Sequence, residues 1–150
     1  MARGRGFTLI ELLVVVLIIA ILLSAGVMSL RPNDHQRLKM TAQNVQQWLS
    51  LTCDLALFKQ SVVAVVPDQQ GLRGMIWQGR AWHPLQTVFV WPDGIRVSWT
   101  GVQPAPLPLA PLPEDGWLCW PDETRTMGEI ILQQAAQRQV VPFNELSSDP

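Results

Sequence analysis

The sequence predicts an α+β fold in which a long N-terminal helix packs against antiparallel β-sheets. Three observations support this prediction. Residues 7–30 are almost entirely apolar, residues 34–59 repeat apolar side chains at helical spacing, and short β-branched runs separated by turns follow. Because an amphipathic helix must bury its apolar stripe, the strands after it are expected to form the covering sheet.

The apolar segment is long enough to cross a bilayer as a helix. Arg3 and Arg5 precede it, so the first residues should stay in the cytoplasm while the rest is exported. Glu11 is the unusual residue, because a carboxylate in a membrane helix costs roughly 2.5–3.5 kcal/mol. Cleavage after Gly6 would free the α-amino group of Phe7, a cation that could face Glu11 of a neighbouring copy. The N-terminus therefore predicts a device for assembly.

A second helix is predicted from Asp34 to about Lys59, after a break near Pro32, which disfavours helix at the preceding residue. Trp48 and Leu55 widen its apolar stripe, which we expect to face the core rather than a cofactor. Steps of four and three residues define the stripe, which consists of Leu38, Ala42, Val45, Leu49, Thr52 and Ala56.

Seven or eight short strands follow, which predicts antiparallel sheets. Pro92-Asp93-Gly94 lies between two of them and predicts a hairpin. Residues 103–113 contain five prolines and predict a stiff surface loop, with a proline-rich recognition motif as the alternative. The predicted strands are residues 61–66, 72–77, 81–85, 87–91, 95–100, 117–120, 129–133 and 139–142.

Charge and cysteine content limit the function. The exported part, from Arg31 onward, holds nine Lys or Arg and eleven Asp or Glu residues, a net charge near −2. Such a domain lacks the basic face that nucleic acid requires, so we expect no nucleic-acid partner. Cys53 and Cys119 are the two cysteines. In an oxidising compartment they could form a disulfide, and otherwise they are buried small hydrophobic residues.

Residues for catalysis, cofactor binding or metal binding are not arranged in any known motif. His35 and His83 are expected to be surface or hydrogen-bonded residues rather than catalytic ones, and no metal-ligand spacing joins them to a cysteine. Asp115, Asp122 and Glu123 could approach a cation, but a solvated loop edge explains them better. The sequence therefore predicts a protein that is not an enzyme, with no cofactor. Most of the seven tryptophans should lie in the core, and a subset could contact partners.

The N-terminal residues resemble the signal of type IV prepilins and type II secretion pseudopilins. The matching run is a basic leader followed by Gly6, Phe7, Thr8, Leu9, Ile10 and Glu11 and then the apolar helix. The resemblance implies that a prepilin peptidase cuts between Gly6 and Phe7 and N-methylates Phe7. It also implies that Glu11 pairs with the terminal amine of an adjacent subunit.

A second, looser resemblance is to the H subunit among the minor pseudopilins. It rests on residues 89–94, on residues 120–123 and on the strand-like runs 128–132 and 138–141, with Glu123 where the family usually has Gly. The resemblance implies a pilin-like fold and a minor subunit near the tip of a periplasmic pseudopilus, with other major and minor pseudopilins as partners. The implied layout is leader 1–6, transmembrane helix 7–30, amphipathic helix 31–60 and periplasmic β domain 61–150, on a single-pass inner-membrane protein.

Two alternatives remain open at this point. A minor pilin that primes a type IV pilus would share the same N-terminus and fold. A periplasmic binding or enzymatic domain behind an ordinary signal peptide would instead be cut near residues 24–26. The position of Glu11 and the length of the apolar run argue against that second alternative.

Overall fold

A computed structural model describes residues 8–29 and 34–144 of the chain. The chain divides into two compact units, residues 1–33 and 34–150. The first contains helix α1 (Leu9–Ser29). The second begins with helix α2 (Asp34–Lys59). Its strands are β1 (Val63–Pro67), β2 (Gly71–Gln78), β3 (Ala81–Val90), β4 (Arg96–Thr100), β5 (Trp117–Cys119), β6 (Glu129–Gln134) and β7 (Gln137–Pro142). The break expected near Pro32 lies outside the described residues.

Helix α2 packs against both sheets of the second unit, as the α+β prediction requires. All six residues of the predicted stripe are buried, and Val45, Leu49 and Ala56 are fully inaccessible. Trp48 and Leu55 pack at its margin. The prediction of an amphipathic helix covered by antiparallel strands is therefore confirmed.

The strands form two separate antiparallel sheets. The first has the order β3-β2-β1-β5, and the second has the order β4-β6-β7. Strand β1 lies inside the first sheet and is buried on both faces. Its Val63 and Val65 belong to the main core beneath α2, whereas Val62 and Ala64 face a second cluster on the opposite side. This two-sided burial explains why the segment is uniformly apolar rather than alternating.

The hairpin predicted at Pro92-Asp93-Gly94 is wrong. Strand β3 pairs with β2, and β4 pairs with β6, so this turn carries the chain from one sheet to the other. Trp91 keeps the end of β3 beside β2, because its indole Nε1 donates a hydrogen bond to Asp68 O at 2.9 Å. Arg37 of α2 holds the turn itself by donating to Asp93 O at 2.8 Å. The local turn signal was correct, but tertiary contacts decide which strands pair.

The two strands predicted at 81–85 and 87–91 form one strand, β3, with an irregularity between them. Arg73 pairs with Val88 and Met75 with Pro84, so β3 has extra residues at this point. Gly74 lies opposite, and a Cβ there would come within 2.7 Å of Leu85 Cδ1. The glycine therefore makes room for the Leu85 side chain, and β3 continues through the irregularity instead of ending there.

The proline-rich segment closes on itself and covers the outer face of the first sheet. Gln103 and Gly116 exchange two backbone hydrogen bonds of 3.0 Å at its neck. Leu109 is buried, and it packs with Leu118 and Ala64 in the second cluster. The segment is a surface connection, as predicted. Its inner side is also buried against the sheet, which proline content alone could not indicate.

The second sheet is fixed to the first through Trp117. Its indole ring stacks on Phe143 with ring centroids 5.2 Å apart, and Nε1 donates to Thr100 O at 2.9 Å. Gly128 passes directly over this ring, where a Cβ would meet Nε1 at 2.0 Å. The glycine of the 128–132 run is therefore required by close packing.

Candidate assembly site

The first turn of α1 is organised around Glu11. Its carboxylate Oε2 accepts hydrogen bonds from the backbone N and the hydroxyl of Thr8, each 3.2 Å long. The Thr8 hydroxyl in turn accepts a 3.4 Å bond from the Glu11 backbone N–H. This reciprocal arrangement is a capping box, which satisfies backbone donors that a helix start leaves free. The negative charge also lies at the positive end of the helix dipole.

Thr8 is a residue that the sequence interpretation missed. Its signal, a threonine three residues before a glutamate at the start of an apolar helix, was present in the sequence. The prediction for Glu11 rests on its charge alone. The structure gives the same side chain a second task within its own subunit, the capping of α1. Any test of Glu11 in assembly must separate these two roles.

From Leu12 to Leu22, helix α1 exposes an unbroken run of apolar side chains. Each residue from 8 to 22 is exposed, including Leu12, Val16 and Ile19. A helix that is apolar around its whole circumference is characteristic of a completely buried environment. Among the described residues, no helix meets the combined length and hydropathy needed to cross a membrane.

Gly6 and Phe7, the predicted cleavage and methylation positions, lie outside the described residues, as do Arg3 and Arg5 of the leader. The structure therefore places Glu11 and its capping partner but brings no described amine close to the carboxylate. Pairing of Glu11 with the amine of another subunit stays a prediction.

The two cysteines are joined in a disulfide. Cys53 lies on α2 and Cys119 on β5, and their Cα atoms are 5.4 Å apart. The two residues are separated by 66 positions in the sequence. Both residues are almost completely buried. The bond connects the helix to the short strand at the edge of the first sheet, which has three residues and few ladder bonds of its own. It therefore fixes α2 on the sheet beneath it.

The two histidines take part in ordinary surface contacts. His35 Nδ1 lies 3.0 Å from Gln137 Oε1, and His83 Nε2 lies 3.2 Å from Gln78 O. Both residues are exposed. The first contact links the start of α2 to the first residue of β7. The second links the end of β2 to the start of β3.

The three acidic residues considered for a cation are all exposed. Within the described ranges, no three potential ligand side chains lie close enough to hold a metal ion. Asp122 is instead occupied by Thr124, whose backbone N–H donates to Oδ1 at 3.1 Å and whose hydroxyl donates to the same atom. These hydrogen bonds from Thr124 hold the pKa of the Asp122 carboxyl below its usual value of 3.8.

The tryptophans are buried or half-buried, and none of the seven is exposed. Trp91 and Trp117 lie in the main core. Trp77 and Trp82 form an edge-to-face pair, with centroids 5.3 Å apart, on the outer face of the first sheet. Trp77 of this outer pair lines a surface groove.

Comparison with known proteins agrees with this organisation. Residues 1–27 match the family model described as the prokaryotic N-terminal methylation motif. The helix and two antiparallel sheets that follow have the pseudopilin fold. No curated protein matches the chain by sequence.

Two similar solved structures are of the minor pseudopilin EpsH from the type II secretion system of Vibrio cholerae. The first is 16% identical, with a TM-score of 0.57, over 74% of this chain and 92% of the chain in that structure. The second is 14% identical, with a TM-score of 0.57, over 78% of this chain and 100% of the chain in that structure. At these identities the likeness establishes a shared fold, and the resemblance to an H-type pseudopilin is supported by the motif and the fold together.

Proposed function

We propose that the chain is a minor pseudopilin of a type II protein secretion system. It is incorporated near the tip of the periplasmic pseudopilus and helps to drive export of folded proteins across the outer membrane. One observation carries this proposal: an N-terminal methylation motif and a unit with the pseudopilin fold occur in a single chain. The function is structural, and no catalytic step is assigned to any residue.

The proposed layout follows from the chain's polarity and division into units. Residues 1–6 form the leader, and residues 7–30 anchor the subunit in the inner membrane. Residues 31–60 form the amphipathic helix, and the β domain of residues 61–150 lies in the periplasm. An oxidising periplasm is consistent with the Cys53–Cys119 disulfide, since such bonds persist outside the reducing cytoplasm.

The proposed assembly step uses the charge of Glu11. Prepilin peptidase removes the leader after Gly6 and methylates the new terminus at Phe7. When the helix joins others, the amine of one subunit neutralises Glu11 of the next. The capping box supports this step, because it holds the carboxylate close to the helix start, where a neighbouring terminus has to reach it. The pairing also offsets the unfavourable burial of the charge.

Mass spectrometry of the mature protein from its own cells tests the proposal. We expect a chain that begins at Phe7 and carries one N-terminal methyl group. A product that starts near residues 24–26 would instead identify an ordinary signal peptide and refute the proposal.

Substituting Gly6 by a bulky residue should block processing, and a normally trimmed product would contradict the assigned cleavage position. Deletion of the gene should abolish secretion and leave surface pili intact, whereas loss of pili would favour the type IV pilin alternative.

A further inference from the structure

The proline-rich loop is anchored to the first sheet by hydrogen bonds and by one buried side chain. Besides the paired backbone bonds at its neck, Trp82 Nε1 donates to Ala110 O at 2.7 Å, and Leu109 N donates to Pro106 O at 3.0 Å. With the burial of Leu109, these contacts anchor the inner side of the loop. A loop already fixed in one conformation loses little conformational freedom when it binds a partner.

The tip of the same loop exposes Leu107 almost completely. This side chain is 94% accessible, although its neighbour two residues on, Leu109, is buried. Pro106 and Pro108 flank Leu107 and are exposed as well. The surrounding run, residues 101–113, contains no charged side chain. An isolated exposed leucine needs no explanation, so the argument depends on what lies beside it.

A groove of about 490 Å³ lies beside the tip, lined by Trp77, Arg80, Pro108 and Ala110. Trp77 forms part of the outer aromatic pair, and Arg80 is the single charged residue among the four. Arg80 takes part in none of the ion pairs found among the described residues. The groove thus combines an aromatic wall, an apolar rim and one uncompensated cation.

Arg80 is also an unusual residue for its backbone position. Gly79 and Arg80 form the two-residue turn between β2 and β3, with φ values of 57° and 65°. Such turns favour Asn-Gly or Gly-Gly, because a side chain is strained at positive φ. Gln60, Glu123 and Ala135 also have positive φ, so this backbone position alone assigns Arg80 no function. The observation that the proposal uses is the place of Arg80 in the lining of the groove.

We propose that Trp77, Arg80, Leu107 and Pro108 form a docking site for a protein other than this chain. The partner contributes an apolar side chain to the groove and a carboxylate to Arg80. Tryptophan and arginine are enriched at the energetic centres of protein interfaces, which this combination matches. A symmetric contact between two copies would bring two Arg80 cations together, which disfavours a second copy as the occupant. This site is inferred from the folded unit alone and does not rest on the assignment to a secretion system.

Photo-cross-linking of the full chain in its own cells tests the site. With p-benzoylphenylalanine at position 107, we expect one discrete protein adduct, and the cross-linked segment should contain an aspartate or glutamate. The same reagent at Met127, another exposed apolar position, should not give this adduct. R80E should lower the adduct yield at least tenfold, whereas R138E, which reverses an exposed charge elsewhere, should leave it unchanged.

Two further measurements separate binding from folding. R80G places glycine at the strained position, so the thermal midpoint should be unchanged or higher while the adduct is lost. Replacing the partner's carboxylate by lysine should restore the adduct in R80E. The proposal is overturned if no adduct forms, if the adduct is a lipid or a second copy of this chain, or if R80E leaves its yield unchanged.

Discussion

The two helices of this chain differ in where their apolar surface is covered. Helix α1 exposes every residue from 9 to 22, whereas α2 buries a stripe of six residues under two sheets. The stability of α2 is therefore provided within the chain. The apolar surface of α1 is unfavourable in water and has to be covered from outside, in our proposal by the membrane and by neighbouring subunits. Substitutions in the two helices should consequently act on different measurements.

The largest effect is expected when Glu11 loses its charge but keeps its capping geometry. Glutamine serves in a capping box as glutamate does, so E11Q preserves the helix start and leaves a neighbour's amine without its counter-charge. Removing one member of a buried pair costs about 3–5 kcal/mol, equivalent to more than a hundredfold loss. We expect incorporation into filaments, measured by co-purification with other pseudopilins, to fall accordingly.

The matched control is T8A, which removes the cap and keeps the charge. Losing a cap costs about 0.5–2 kcal/mol of helix stability, so T8A should assemble better than E11Q. If T8A were the more damaging substitution, Glu11 would act through capping, and the charge-pairing mechanism would be wrong. Neither variant should change the stability of the unit from residue 34 onward.

The next largest effect concerns the buried stripe of α2. L49A removes a completely buried side chain, which should lower the free energy of unfolding by about 2–5 kcal/mol. The matched variant L17A alters an exposed residue of α1 and should leave the free energy of unfolding of the second unit unchanged. All seven tryptophans lie between residues 48 and 120, so fluorescence during urea unfolding in detergent reports on the second unit. Equal destabilisation by both variants would contradict the division into two units.

Removing the disulfide should have a somewhat smaller effect on the same unit. A bond that closes a loop across 66 positions restricts the unfolded chain, and typical stabilisation is about 2–4 kcal/mol. The double variant C53A/C119A should therefore unfold at lower urea concentration than the oxidised wild type. Reductant should destabilise the wild type and have no effect on the double variant. A wild type that is insensitive to reductant would indicate that the bond contributes nothing to stability.

Much of this fold follows from local patterns in the sequence. The stripe from Leu38 to Ala56 could be predicted because helical spacing is a short-range signal, and most strands could be located from β-branched runs. The division into two sheets at Pro92-Asp93-Gly94 could not be predicted in this way. A turn signal indicates that the chain reverses direction, but it does not indicate which strand the next strand pairs with. The second core beneath Leu109 depends on a loop folding back over a distant sheet, which proline content does not encode.

The candidate sites show the same difference. Glu11 was identifiable because its charge conflicts with its apolar surroundings, and Thr8 was identifiable in principle from its spacing. The groove beside Leu107 was not identifiable from the sequence, because Trp77 and Arg80 become neighbours of Pro108 only after the loop packs on the sheet. The residues of the proposed assembly site are thus recognisable from local sequence, whereas the surface features of the second unit are products of its tertiary structure.

The smallest effect is expected from an exposed group in the second unit, the Asp122 carboxyl. Hydrogen bonds from Thr124 lower its pKa below 3.8 in the folded chain. A carboxyl whose pKa falls on folding stabilises the protein above its unfolded-state pKa, and this contribution is lost as the pH falls through the folded value. T124V removes the hydroxyl donor, so the Asp122 pKa, measured by NMR titration, should rise toward 3.8. Stability at neutral pH should change little, since the group is exposed and the loop is solvated. An unchanged Asp122 pKa in T124V would show that the backbone N–H of residue 124 alone sets the acidity of this turn.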